Sequence, residues 1–220
     1  PVSAIGTDGD NKLSGALNTA ANRLEGGFGN DTYTVGAGDT VVELADQGTD
    51  LLIVAGATGA AVQLEAFQNV ENLRLLAGSS VTVAQGTAEA NTLTGNSAAN
   101  QLAGLAGIDT ISDQYPEDFT FYSSVSPESD NDTLEGGEGD DILYSYGGID
   151  VMHGGAGDDQ LTLAYSGRTT IVKLGLGDGH DVLSTQAAAA VTVEFGSGIL
   201  PRDVQLQQQA DSLVVALPDG

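Results

Sequence analysis

A nine-residue repeat running in register through much of the chain limits what this sequence can become more than any other feature. Residues 136–144 read GGEGDDILY, 145–153 SYGGIDVMH and 154–162 GGAGDDQLT. Position six is Asp141, Asp150 and Asp159, and position eight is Leu143, Met152 and Leu161. The same grammar appears at 26–34 (GGFGNDTYT), with Asp31 and Tyr33, and more loosely at 127–135, with Asp132 and Leu134. Three further units, 86–94, 95–103 and 104–112, follow without a gap; the last keeps Gly107 and Asp109, whereas the first two carry Asn91 and Asn100 at position six. Residues 45–53 retain Gly48, Asp50 and Leu52, and 176–184 retain Gly177, Gly179, Asp181 and Leu183. A fixed short period of this kind builds solenoids, in which each unit buries its apolar residue against its neighbours.

The pattern is G-G-x-G-x-D-x-U-x, with U a large apolar residue. It resembles the RTX (haemolysin-type calcium-binding) family, whose nonapeptide builds a calcium-binding parallel β-roll. The residue chemistry agrees with what that resemblance implies. Glycines at positions one, two and four predict sharp turns through positive φ with no Cβ near an approaching ion. Asp at position six supplies a hard anionic oxygen, and the turn carbonyls supply more. Six to eight oxygens at about 2.3–2.6 Å suit calcium. The x-U-x tail predicts a short strand with U pointing inward. Two nonapeptides make one 18-residue coil, so like turns stack at every second repeat. Asp132 precedes Asp150 by 18 residues and Asp141 precedes Asp159 by 18, which predicts calcium between stacked turns, in one row on each edge.

The expected fold is therefore all-β, a right-handed parallel β-roll with several Ca2+ ions between glycine-rich turns. The expected metal-site residues are Gly26, Gly27, Gly29 and Asp31; Gly48 and Asp50; Gly107 and Asp109; Asp132; Gly136, Gly137, Gly139 and Asp141; Gly148 and Asp150; Gly154, Gly155, Gly157 and Asp159; and Gly177, Gly179 and Asp181. Units with Asn at position six, at Asn11, Asn22, Asn91 and Asn100, are expected to hold their turns by side-chain to backbone hydrogen bonds instead.

Four segments follow from the register. Residues 1–53 form a first repeat block. Residues 54–85 have few acids and no complete glycine turn, and read as metal-poor connecting coils; Asn69-Val-Glu-Asn-Leu-Arg-Leu resembles a segment joining repeat blocks in large RTX proteins. Residues 86–184 form a second block, interrupted at 113–126 by an insert holding Tyr115, Phe119, Phe121 and Tyr122. The insert reads as a loop over one edge, or as a recognition loop for a sugar or protein. Residues 185–220 read as closing β-strands. The chain opens at Pro1 and stops on Pro218-Asp219-Gly220, which predicts a piece cut from a longer protein.

Composition sets the partners. There are 31 acidic residues against 6 basic ones, a formal charge of −25, and Asp outnumbers Glu 21 to 10. That excludes a basic footprint for nucleic acid. No apolar run approaches the roughly 20 residues of a membrane span. Without cysteine there is no disulfide framework and no Cys-ligated zinc. Enzyme motifs are missing, and His153 and His180 both lie within repeat units. The Asp8-Gly-Asp10 start of an EF-hand fails at Leu13 and Thr19.

By resemblance, the parent is a large protein secreted through type I machinery, or held at a bacterial cell surface, and folding on calcium as a scaffold segment of an adhesin or toxin. Two other roles stay open. One is an accessory carboxy-terminal module of a secreted protease, lipase or alginate epimerase. The other is a module binding a host-cell or glycan target through the 113–126 insert.

Overall fold

The computed structural model describes residues 3–56, 61–113, 131–164, 169–185, 190–209 and 212–216. Their strands are short because each nonapeptide spends half its length turning. Nine stack in parallel on one face: β2 (Lys12–Ser14), β4 (Thr32–Val35), β6 (Leu51–Val54), β8 (Asn72–Leu75), β10 (Thr92–Thr94), β12 (Thr110–Ser112), β14 (Ile142–Ser145), β16 (Gln160–Leu163) and β18 (His180–Thr185).

The alternate strands form the other face in two sheets. The first holds β1 (Ser3–Ile5), β3 (Arg23–Glu25) and β5 (Thr40–Val42). The second runs from β7 (Ala61–Gln63) and β9 (Val83–Gln85) through β11 (Gln101–Ala106), β13 (Thr133–Glu138) and β15 (Val151–Ala156) to β17 (Thr169–Leu174) and β19 (Ala190–Phe195). This is a parallel β-solenoid. The order ends in a reversal: β20 (Gln205–Gln209) and β21 (Ser212–Ala216) form an antiparallel hairpin, and β21 pairs antiparallel with β18.

Position eight fills the core. On the first face, Leu13, Tyr33, Leu52, Leu73, Leu93, Ile111, Leu143, Leu161 and Leu183 stand directly opposite one another in successive strands. Leu24, Val62, Ala84, Leu102, Leu134, Met152 and Val172 bury from the second face. Each large member of these columns contributes about 1.5–3 kcal/mol on burial.

Coil length varies while the columns hold. Paired residues are offset by as few as 17 positions, Arg23 with Thr40, and by as many as 22, Gln160 with Val182. The one large departure is 32, seen at Thr110 with Ile142 and at Gln101 with Thr133. That exceeds the 18-residue coil by 14 positions, the length of the 113–126 segment. The stack passes this coil without a slip in register.

Candidate metal centre

Every turn leads its position-six residue onto an edge of the roll, just before a strand. There the carboxylates form a ladder. The Asp109 amide donates to Asp141 Oδ1 at 2.7 Å, the Asp141 amide to Asp159 Oδ1 at 2.8 Å, and the Asp159 amide to Asp181 Oδ1 at 3.2 Å. Further along the same edge, the Asp31 amide donates to Asp50 Oδ1 at 2.7 Å and the Asp50 amide to Glu71 Oε2 at 2.7 Å. On the opposite edge the Asn100 amide donates to Asp132 Oδ1 and the Asp132 amide to Asp150 Oδ1, at 2.6 and 2.9 Å. One oxygen of each carboxylate thus closes the backbone of the preceding coil. All eight position-six aspartates are buried, none more than 6% exposed.

The second oxygens carry the argument. Oδ2 of Asp31, Asp109, Asp141 and Asp159 is buried without a hydrogen-bond partner. An ionised oxygen in that condition is strongly destabilising unless a cation or proton meets it. Position-one glycines make the room. A Cβ on Gly154 would overlap Asp159 Oδ2. A Cβ on Gly136 would overlap both Asp141 Oδ2 and the Gly154 carbonyl oxygen of the next coil. At Gly104 the same spot is bounded by Asp109 Oδ2 and, at 2.7 Å, the Gly136 carbonyl. A carboxylate oxygen and a carbonyl oxygen from adjacent coils therefore surround one small space, repeated up the edge. Hard oxygen donors, carboxylate plus carbonyl, are the set calcium takes. The residues fit that ion, and Asp109, Asp141 and Asp159 with these carbonyls would hold it.

The glycines divide their work differently from the expectation that all three adopt positive φ. Gly27, Gly29, Gly137, Gly139, Gly155 and Gly157, at positions two and four, do. The position-one residues Gly26, Gly136 and Gly154 do not, and are needed for space alone. Gly107, Gly148, Gly177 and Gly179 also have positive φ, whereas Gly48 does not. Leu105 sits at position two with φ 91°, a conformation that is strained for a residue with a Cβ.

Burial dominates the electrostatics. It pushes Asp109 and Asp159 up to about 6 and Asp181 up to about 7, with neighbouring carboxylates adding to the rise. Asp50 rises to about 6 for the same first reason. Without a cation the folded state binds protons more tightly than the unfolded chain. These groups therefore contribute stability at low pH, and that contribution is lost as pH rises through about 6–7. In excess chelator, the melting temperature is expected to be higher at pH 5 than at pH 8. Saturating calcium should remove that advantage, because the ion replaces the protons. Thermal melts at the two pH values, with and without chelator, check this; equal melting temperatures in chelator would contradict it.

The asparagine turns close themselves. Asn91 Oδ1 accepts from the Thr87 amide at 2.6 Å and its Nδ2 donates to the Glu71 carbonyl at 2.8 Å. Asn100 Oδ1 accepts from the Asn96 amide at 2.8 Å. Asn22 Nδ2 donates to the Gly15 and Ala20 carbonyls.

Four acids join the edges that the repeat pattern missed. Glu71 takes the position-six role, and its signal was present: it stands two residues before the inward Leu73, as Asp does in a full repeat. Asp39 accepts from the Asn22 amide at 2.8 Å, in the shortest coil. Glu43 lies with Asp31 and Asp50, and Asp113 with Asp132 and Asp150; in each trio the ligand atoms lie within 4.8 Å of one another and every member is buried. Asp113 follows Ser112, which pairs with Thr94 and Tyr144, so it stacks between Gly95 and Ser145. Ser145 Oγ donates to Asp150 Oδ2 at 2.5 Å. In neighbouring coils that inward column is apolar, with Val54 opposite Leu75. A polar break in it marks the trio.

Tyr115, Phe119, Phe121 and Tyr122 lie outside the described residues. His153 lies on β15 beside Asp178, 3.3 Å from Oδ2, away from both edge ladders. Among the described residues, no helix is long and apolar enough to cross a membrane.

Comparison with known families supports the same assignment. A family model described as the RTX calcium-binding nonapeptide repeat (4 copies) matches residues 5–42, 77–111 and 128–161. No curated protein matches the chain. Those matched stretches carry Asp31, Asp109, Asp141 and Asp159 with their glycine cradles, and the chain belongs to the RTX calcium-binding repeat family.

Proposed function

We propose that this module folds on calcium after export and serves as a stiff scaffold segment of a large extracellular adhesin or toxin. The row of buried, partnerless Oδ2 atoms at Asp31, Asp109, Asp141 and Asp159 carries the reading. A chain with a charge of −25 closes these turns only when positive charge enters them. In a calcium-poor cytosol the acids repel and the chain stays extended. Outside, binding free energy becomes folding free energy. The scaffold role draws on the unbroken register: a coil 14 residues longer than its neighbours is carried without disturbing the strands on either side. Passage through type I secretion machinery, and a secreted or cell-surface location, follow from family membership as part of the same proposal.

Far-ultraviolet circular dichroism during a calcium titration tests the core of it. The spectrum is expected to pass from coil to β, saturating at or below the millimolar range typical of extracellular sites, about 10⁻⁴–10⁻³ M. Magnesium at equal concentration should not substitute, because it demands a tighter octahedron and sheds water reluctantly. A fully β spectrum in excess chelator, with no calcium-dependent change in melting, would overturn the proposal.

A further inference from the structure

The coil that departs from the repeat at its first position points to a site of a different grade. Val42 of β5 pairs with Glu25 of β3, so the next residues, Glu43 and Gly26, occupy the same place in successive coils. At Gly26 the missing Cβ leaves a space bounded by Asp31 Oδ2 and the Tyr33 hydroxyl. One coil on, a glutamate replaces the glycine and sends its carboxylate into that region. Glu43 Oε1 accepts from the Tyr33 hydroxyl. Glu43 Oε2 and Asp31 Oδ2 are both buried without a hydrogen-bond partner. The ligand atoms of Asp31, Glu43 and Asp50 lie within 4.8 Å of one another, and the three residues are 1%, 6% and 1% exposed.

We propose that Glu43 turns this inter-coil position into a three-carboxylate calcium site that binds more tightly than the ordinary repeat sites and fills before them. The donor set is all oxygen: three carboxylates with a tyrosine hydroxyl beside them, and no sulfur or imidazole among the trio. Calcium affinity rises with the number of charged ligands and the rigidity of the site. The repeat supplies one aspartate per coil, whereas here a third acid enters from outside the nonapeptide. It is also held: Tyr33 is fully buried and fixes one carboxylate oxygen, while the Asn69 side chain donates to the Glu43 carbonyl at 2.9 Å. The same exchange occurs on the other edge, where Asp113 stacks over Gly95 and gathers with Asp132 and Asp150. Two acids in the place of a position-one glycine, each with two position-six aspartates, make this a construction principle of the chain. The position also sits at the break between the β1–β3–β5 sheet and the β7–β19 sheet. A tight ion there ties the two blocks of the face together.

The inference rests on the calcium-binding reading above, and calorimetric titration separates the two. In the full chain, calcium is expected to bind in a tight first step followed by weaker ones. Glu43→Gln keeps the shape and an acceptor for Tyr33 but removes the charge, and should weaken that first step by about tenfold or more. The later steps, and the β spectrum at saturating calcium, should be unchanged. Glu43→Gly, which restores the repeat residue, should show the same selective loss. Terbium in place of calcium gives an independent readout, since Tyr33 beside the ion should sensitise its luminescence at the first equivalent, and Glu43→Gln should delay that signal. A wild-type chain that takes up no calcium overturns both this inference and the function it rests on. Uptake in wild type that Glu43→Gln leaves superimposable overturns the inference alone.

Discussion

Raising free calcium to 10 mM is expected to stabilise the folded module by about 2.7 kcal/mol for each ion bound with a dissociation constant near 10⁻⁴ M. Each further tenfold should add about 1.4 kcal/mol per ion, so the slope of unfolding free energy against log calcium counts the ions. No single substitution should match this effect, because several sites act at once. Their contributions combine because the ladder links them: a carboxylate positioned by the ion in one gap also closes the amide of the coil below, as Asp159 does for Asp141. Denaturant unfolding at a series of buffered calcium concentrations measures the slope. A slope of zero would show that the buried oxygens of Asp109, Asp141 and Asp159 are met by something other than calcium.

Gly155→Ala is expected to be the most damaging single change. Gly155 has φ 113°, where a residue with a Cβ is strained by about 1–3 kcal/mol. The added methyl would also overlap the Gly137 carbonyl oxygen of the coil beneath, backbone that belongs to the next site and has little freedom to move. Together these should cost several kcal/mol and shift the calcium midpoint of the circular-dichroism transition to much higher concentration. Gly9→Ala is the matched control. A Cβ there meets no heavy atom within 4 Å and the φ is not positive, so the change should be neutral or stabilise by up to about 1 kcal/mol through the unfolded chain. Equal midpoints for the two variants would show that glycine at position two serves composition and not geometry.

These two results bear on what was legible in the sequence. Position eight read directly as core, since a residue repeated every nine positions and facing inward must stack on itself; even Met152 and Tyr33 keep their places. The length of the 113–126 interruption was legible for the same reason, and reappears as the 14 extra residues in one coil. The role of position one was not. Sequence shows that Gly154 is glycine, but only stacking shows that the space belongs to Asp159. Glu43 and Asp113 were hidden further, because coils of 17 to 22 residues spoil any fixed spacing between an acid and its partners in the next coil. Their neighbours are set by which residue lies above, as Gly26 lies against Glu43, and not by distance along the chain. The closing hairpin was likewise read as strands without direction, since Val191–Phe195 continues the parallel stack on β17 while Leu213 runs antiparallel to Leu183.

The hydrogen-bond ladder always points one way: the amide of each coil donates to the carboxylate of the coil that follows it. The roll is therefore a polar filament with unlike ends, one offering donors and the other acceptors. Two such ends can join only head to tail, a contact that propagates unless something stops it. The antiparallel β20–β21 pair, laid across β18, reverses the strand direction on that face and so acts as a terminator, leaving no matching acceptor row for another roll to extend.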